Sequence, residues 1–238
     1  MPDSQKETRR PQRSQSKRFL CGLCGLGGSF LVAASSAQPR TIRFVFTSDA
    51  HYGVTRAHFR GHDNVGADVV NRAMVAAINQ AGPLDFVAQG GDIANREEET
   101  ETGPIQSAAA SWAQFEQDYI QGLTVTTATG RRAPLYIVPG NHEVSNAIGF
   151  YKPMQPPIDK TALLEIYNRM MRPSRPKTAA TYNYASDRVL YSHTIGGVHF
   201  VFITIWPDSA VRAWLENDLK RIDRGTPVVL FTHDQPEA

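Results

Sequence analysis

A chain of 238 residues, 41% hydrophobic and 20% charged, is long enough for one sizeable α/β domain, and no composition shift or long linker divides it into two. Its formal charge of +2 is concentrated at the start, where residues 1–37 hold six Lys/Arg against two Asp/Glu and leave −2 on the remainder. That remainder carries no basic stripe, so charge gives no support for a nucleic acid or other polyanionic partner.

Residues 1–37 are expected to form a secretory signal peptide. A basic stretch with Arg9, Arg10, Arg13, Lys17 and Arg18 precedes an apolar, Gly-rich run from Phe19 to Ala34 and the small residues Ser35, Ser36 and Ala37. The run is shorter than the roughly 20 residues that span a bilayer, so no stable transmembrane segment is expected, and export to the periplasm or the medium is. The arginines match a twin-arginine signal only weakly. Cys21 and Cys24 form a C-x-x-C spacing inside this run, in a segment normally cut away on export. The expected mature domain, 38–238, has no cysteine, so a metal there would be held by oxygen and imidazole nitrogen.

In chain order, Thr41 to Thr47 is rich in β-branched and aromatic residues and reads as a buried strand, with Asp49 and His51 just past its end. Val65 to Ala81 repeats apolar residues at helical intervals until Gly82-Pro83 stops it. A strand over Leu84 to Ala88 runs into Gly90-Gly91-Asp92. A helix over Ser107 to Ile120 and a strand over Pro134 to Val138 lead to Gly140-Asn141-His142-Glu143. This β-α-β-α-β order implies a helix-covered sheet whose polar residues gather at the C-terminal ends of the strands. Further on come a helix over Lys160 to Met171, a hairpin of Val189–Thr194 with Val198–Ile205 around Gly196-Gly197, and a helix over Ala210 to Ile222. A last strand, Pro227 to Phe231, ends in Thr232-His233-Asp234. The acidic run from Arg96 to Gly103 reads as a solvated loop.

The strand-end residues Asp49, His51, Asp92, Asn141, His142 and His233 combine carboxylate, amide and imidazole donors, a mixture suited to Mn, Fe or Zn. The ordered set Asp49-Ala50-His51, Gly90-Gly91-Asp92, Gly140-Asn141-His142-Glu143 and strand-end His233 resembles the calcineurin-like metallophosphoesterases, from about Thr41 onward. The resemblance implies an α/β sandwich of two mixed β-sheets flanked by helices, two bound divalent or trivalent metal ions and a phosphate-ester substrate. It implies that Asp49 and His51 bind the first metal, Asp92 bridges both, and Asn141 and His233 bind the second. A carboxylate can hold two cations about 3.5–4 Å apart, and such a pair turns a shared water into a hydroxide nucleophile at neutral pH. His142 would face the substrate and protonate the leaving oxygen. Glu143 either orients His142 or caps the following turn, the cap being the preferred reading.

Other polar residues carry weaker signals. Arg56 is placed for a phosphate contact, His58 and His62 read as loop residues, and His193 and His199 as structural strand residues. Asn95 stands where purple acid phosphatases have an iron-binding Tyr, so no tyrosinate colour is expected. The family's Gly-His-x-His, one further ligand for each metal, has no counterpart before Ala238, so the fold is expected to be incomplete at its C-terminus, as in a partial product of a longer enzyme. The competing reading is a non-catalytic exported protein that keeps the fold and binds a phosphorylated ligand or partner. A serine hydrolase is disfavoured by the lack of a Gly-x-Ser-x-Gly elbow.

Overall fold

The computed structural model describes residues 40–94, 99–100, 103–104, 106–144 and 159–233. The expected leader, with Cys21 and Cys24, lies outside the described residues, as do Asn95, Asp234 and most of the acidic run.

Three short strands form a parallel sheet in the order β1 (Phe44–Thr47), β4 (Phe86–Gln89), β7 (Leu135–Ile137). Phe44 faces Phe86 and Val87 faces Leu135 across the ladders. Between β1 and β4 run a hairpin, β2 (Thr55–Phe59) with β3 (His62–Gly66), and helix α1 (Ala67–Gln80). Between β4 and β7 come the two-residue strands β5 (Glu99–Thr100) and β6 (Gly103–Pro104), then helix α2 (Ala108–Phe115), which widens into a π-helical turn over Glu116–Gln121. After β7 follow the one-turn helix α3 (Asn141–Val144) and α4 (Thr161–Met171). The chain then builds a second, mixed sheet ordered β10 (Val228–Phe231), β9 (Val198–Ile203), β8 (Leu190–Ile195), with α5 (Ser209–Leu219) between β9 and β10. Strands β9 and β10 are parallel, β8 and β9 antiparallel.

Side-chain alternation explains the layering. On fully buried β4, Val87 points into one core with residues of α1, α2 and α4, while Phe86 and Ala88 point into another with Phe200, Phe202 and Phe231 of the second sheet. The inter-sheet core is aromatic: Phe86 stacks on Phe44 at 4.8 Å and meets Phe200 edge-on at 4.9 Å. The outer face of the second sheet, Val201 and Ile203, packs on Val211 and Trp214 of α5. The result is the expected α/β sandwich of two sheets flanked by helices. Its first sheet is parallel throughout among the described strands, and the mixed pattern is confined to the second.

Candidate metal centre

The centre grows from the ends of β1, β4, β7 and β10. Past β1 and β4 the two chains stay joined: Asp49 N donates to Gly91 O (3.0 Å), His51 N to Asp92 O (2.8 Å) and Tyr52 N to Ile93 O (3.0 Å). To make these bonds while turning outward, Asp49, His51 and Asp92 all take positive φ, at 59°, 44° and 54°. Left-handed backbone is disfavoured for residues with a Cβ, and its clustering at three expected ligands marks a place where structure overrides local preference. Glycine is required beside them. A Cβ on Gly91 would collide with the backbone of Gly140, and one on Gly140 with the Asp92 carboxylate.

The other five expected residues gather around Asp92, which is 3% exposed. Its Oδ1 accepts the backbone N–H of His142 at 2.9 Å. Its Oδ2 faces the Nε2 atoms of His233 (3.1 Å), His142 (3.7 Å) and His51 (3.8 Å). Asp49 Oδ1 lies 3.4 Å from His51 Nε2, and Asn141 Oδ1 lies 3.0 Å from His233 Nε2. Two groups of His and carboxylate donors, each with its ligand atoms within 4.8 Å of one another, share Asp92: His51 with His142, and Asp49 with His233. The imidazole contacts of Asp92 thus gather at Oδ2.

Electrostatics agree with a cation site. Burial alone would raise the pKa of Asp92, but the hydrogen bond with His233 and the nearby charges of His142 and His233 outweigh it and hold the group below the usual range, as a carboxylate. Burial disfavours the His233 imidazolium, yet hydrogen bonding to Asp92 and its charge push the pKa up to about 9. A positive charge is favoured at that point. The Nδ1 of His233 bonds Gly90 O at 2.7 Å, which fixes the ring so that Nε2 points at the oxygens of Asp92 and Asn141. Two oxygens and an imidazole nitrogen aimed at one spot fit a first-row transition ion.

The family model of calcineurin-like phosphoesterases matches residues 42–237. The chain belongs to that family. A comparison with curated proteins finds no match.

With the calcineurin-like phosphoesterase fold established, further residues stand out as supports. Glu143 has a role neither reading foresaw. Its fully buried carboxylate accepts four backbone N–H groups, from Asp92 (2.9 Å), Ile93 (2.8 Å), Ala94 (3.0 Å) and Gly140 (2.8 Å), and so ties the loop after β4 to the loop after β7. Burial and then the charge of Asp92 push its pKa up to about 7 against the pull of those hydrogen bonds. Asn71 of α1 donates to Ala50 O (2.7 Å) and accepts from Tyr119 in the π-helical turn (3.1 Å), holding the link between Asp49 and His51. Tyr52 anchors the far side of that link through Asp118 at 2.9 Å. Glu143 belongs to the Gly140–Glu143 motif, but Asn71, Tyr52 and Asp118 lie in none. Only a buried polar side chain on an otherwise apolar helical face, such as Asn71 on α1, could have signalled them.

The remaining polar candidates separate cleanly. Arg56, His58 and His62 sit on the β2–β3 hairpin, which sequence reasoning had read as loop. His199 is structural as expected: Nδ1 faces Thr194 Oγ1 at 2.9 Å and Nε2 faces Asp218 at 2.8 Å. His193 stacks on Tyr136 at 4.5 Å. A cavity of about 770 Å³ lies away from the strand ends, beside Pro134 and Leu135 at the start of β7, and one of its arginines, Arg132, donates to the carbonyls of Ile120 and Gln121, so its charge answers a helix C-terminus. No helix among the described residues is long and apolar enough to cross a membrane.

Proposed function

We propose that this protein hydrolyses phosphomonoesters or phosphodiesters with a dinuclear metal centre and is exported by its N-terminal leader. The observation that carries the reading is the single oxygen, Asp92 Oδ2, facing the Nε2 atoms of three histidines at 3.1–3.8 Å. Asp49, His51 and Asp92 would hold one ion, and Asp92, Asn141 and His233 the other, with Mn, Fe or Zn as the candidates. The short distances from Asp49 to His51 and from Asn141 to His233 support this division, although Asp49 also lies within ligand reach of His233. When bound, two such ions would activate a water for in-line attack on phosphorus and neutralise the phosphoryl oxygens.

The chain's own residues supply the rest. The backbone clamp of Glu143 fixes the shared carboxylate before substrate arrives, so little reorganisation is needed during reaction. His142 reaches the centre from the start of α3, its imidazole 4.7 Å from that of His51, and its Nε2 would deliver a proton to the departing alkoxide. The exposed side chain of Asp49 leaves that flank open for an ester to enter.

The test is turnover of generic phosphomonoesters and phosphodiesters with added Mn²⁺, by wild type and by Asp92→Asn. Hydrolysis by the wild type alone is expected. Equal hydrolysis by both proteins would rule out the reading.

A further inference from the structure

Next to the metal centre lies a cavity of about 300 Å³ whose mouth includes Asp49 and His51. Its floor is the first half of α1, through Ala67, Val70 and Met74, and its far wall is the β2–β3 hairpin, through Phe59 and Val65. The one amide in the lining is already spent, because Asn71 donates to Ala50 O and Ala67 O and accepts from Tyr119. Apart from Arg56 on the hairpin, no side chain beyond the mouth among the described lining residues offers a ligand hydrogen-bonding capacity.

We infer that this cavity receives the alcohol part of the substrate, and that the preferred esters carry an apolar, ring-sized group there. The inference rests on the phosphoester reading of the adjacent centre and adds a substrate class to it. A phosphoryl group held at the strand ends has its ester substituent within reach of the mouth. The volume stands at the small end of the range for ligand pockets, enough for one ring and too little for a polymer segment. A sugar or glycerol group would bury hydroxyls against Val65, Val70 and Met74 without partners, which is costly, whereas an aryl or alicyclic group would gain by leaving water. Arg56 adds a positive charge at the hairpin side, which suits an ester that is anionic as a whole.

The test uses two phosphonates that cannot be hydrolysed, 3-phenylpropylphosphonate and propylphosphonate, titrated calorimetrically into the full chain in Mn²⁺. The phenyl compound should bind at least about tenfold more tightly. The preference should fall below about threefold in Val70→Phe, which fills the floor, and in Phe59→Ser, which removes part of the wall on an exposed hairpin. Equal affinity of the two compounds for wild type, or a preference that survives both variants, would overturn the inference and leave the phosphoester reading standing. If neither compound binds, the phosphoester reading fails and this inference falls with it.

Discussion

His233 and His199 each face an aspartate, Asp92 at 3.1 Å and Asp218 at 2.8 Å, but the two corners are built on opposite principles. Around His199 every polar atom has a local partner: Thr194 takes Nδ1, Asp218 takes Nε2, and Ser192 donates to the other Asp218 oxygen at 2.9 Å. That pair knits β8, β9 and α5 together, and its polarity is used up within the fold. Around His233 the donors are in excess, and one aspartate oxygen meets three imidazoles on backbone held at positive φ. A His–Asp contact is therefore no mark of a site. Convergence of unlike donors at the ends of parallel strands is the better mark, because it offers a cation several ligand atoms at once.

The comparison breaks most directly at the two pairs themselves. Asp92→Asn should abolish metal retention, read by elemental analysis, and lower turnover by on the order of 10³-fold or more. His199→Asn should leave metal content and turnover intact and appear only as lost stability, about 1–3 kcal/mol from unpaired polar groups in a denaturant titration. Next in size, His142→Asn should lower kcat by about 10²–10⁴-fold with metal content retained. A loss of metal in that variant would move His142 from proton donor to ligand. Glu143→Ala should cost about 3–5 kcal/mol by stranding buried N–H groups, and should weaken metal binding through the freed Asp92 loop.

The smallest effect belongs to the start of α5, away from both corners. Asp208 caps α5 by accepting from Val211 and Ala210, and pairs with Arg188. The N–H of Val211 first, and then Arg188, hold its pKa below the ordinary value. The stabilisation is therefore present above the unfolded pKa of about 3.9 and is lost as pH falls through the lowered folded value. Asp208→Ala should cost about 0.5–2 kcal/mol at neutral pH. That difference should vanish on strong acidification, with metal content unaffected throughout.

The sequence carried the two regions unequally. Strands β1, β4, β7 and β10 were legible because short apolar runs end abruptly in polar clusters, and each expected strand overlaps the observed one. Helix α1 was displaced at its start, since Val65 belongs to the β2–β3 hairpin, and that hairpin was missed because His58, Asp63 and Asn64 lack an alternating apolar face. All six strand-end residues were legible as a set. The supports were not: Glu143 works by accepting backbone N–H groups 49–51 residues away, a long-range pairing that no local pattern encodes. The π-helical turn that presents Tyr119 to Asn71 is equally silent, because its sequence reads as ordinary helix.

The account depends on two ions that would share Asp92, and electron paramagnetic resonance of the Mn²⁺-loaded protein tests that claim most directly. A spin-coupled pair signal, absent in Asp92→Asn, is the predicted result. A spectrum of isolated Mn²⁺ at every loading, unchanged by that substitution, would contradict it.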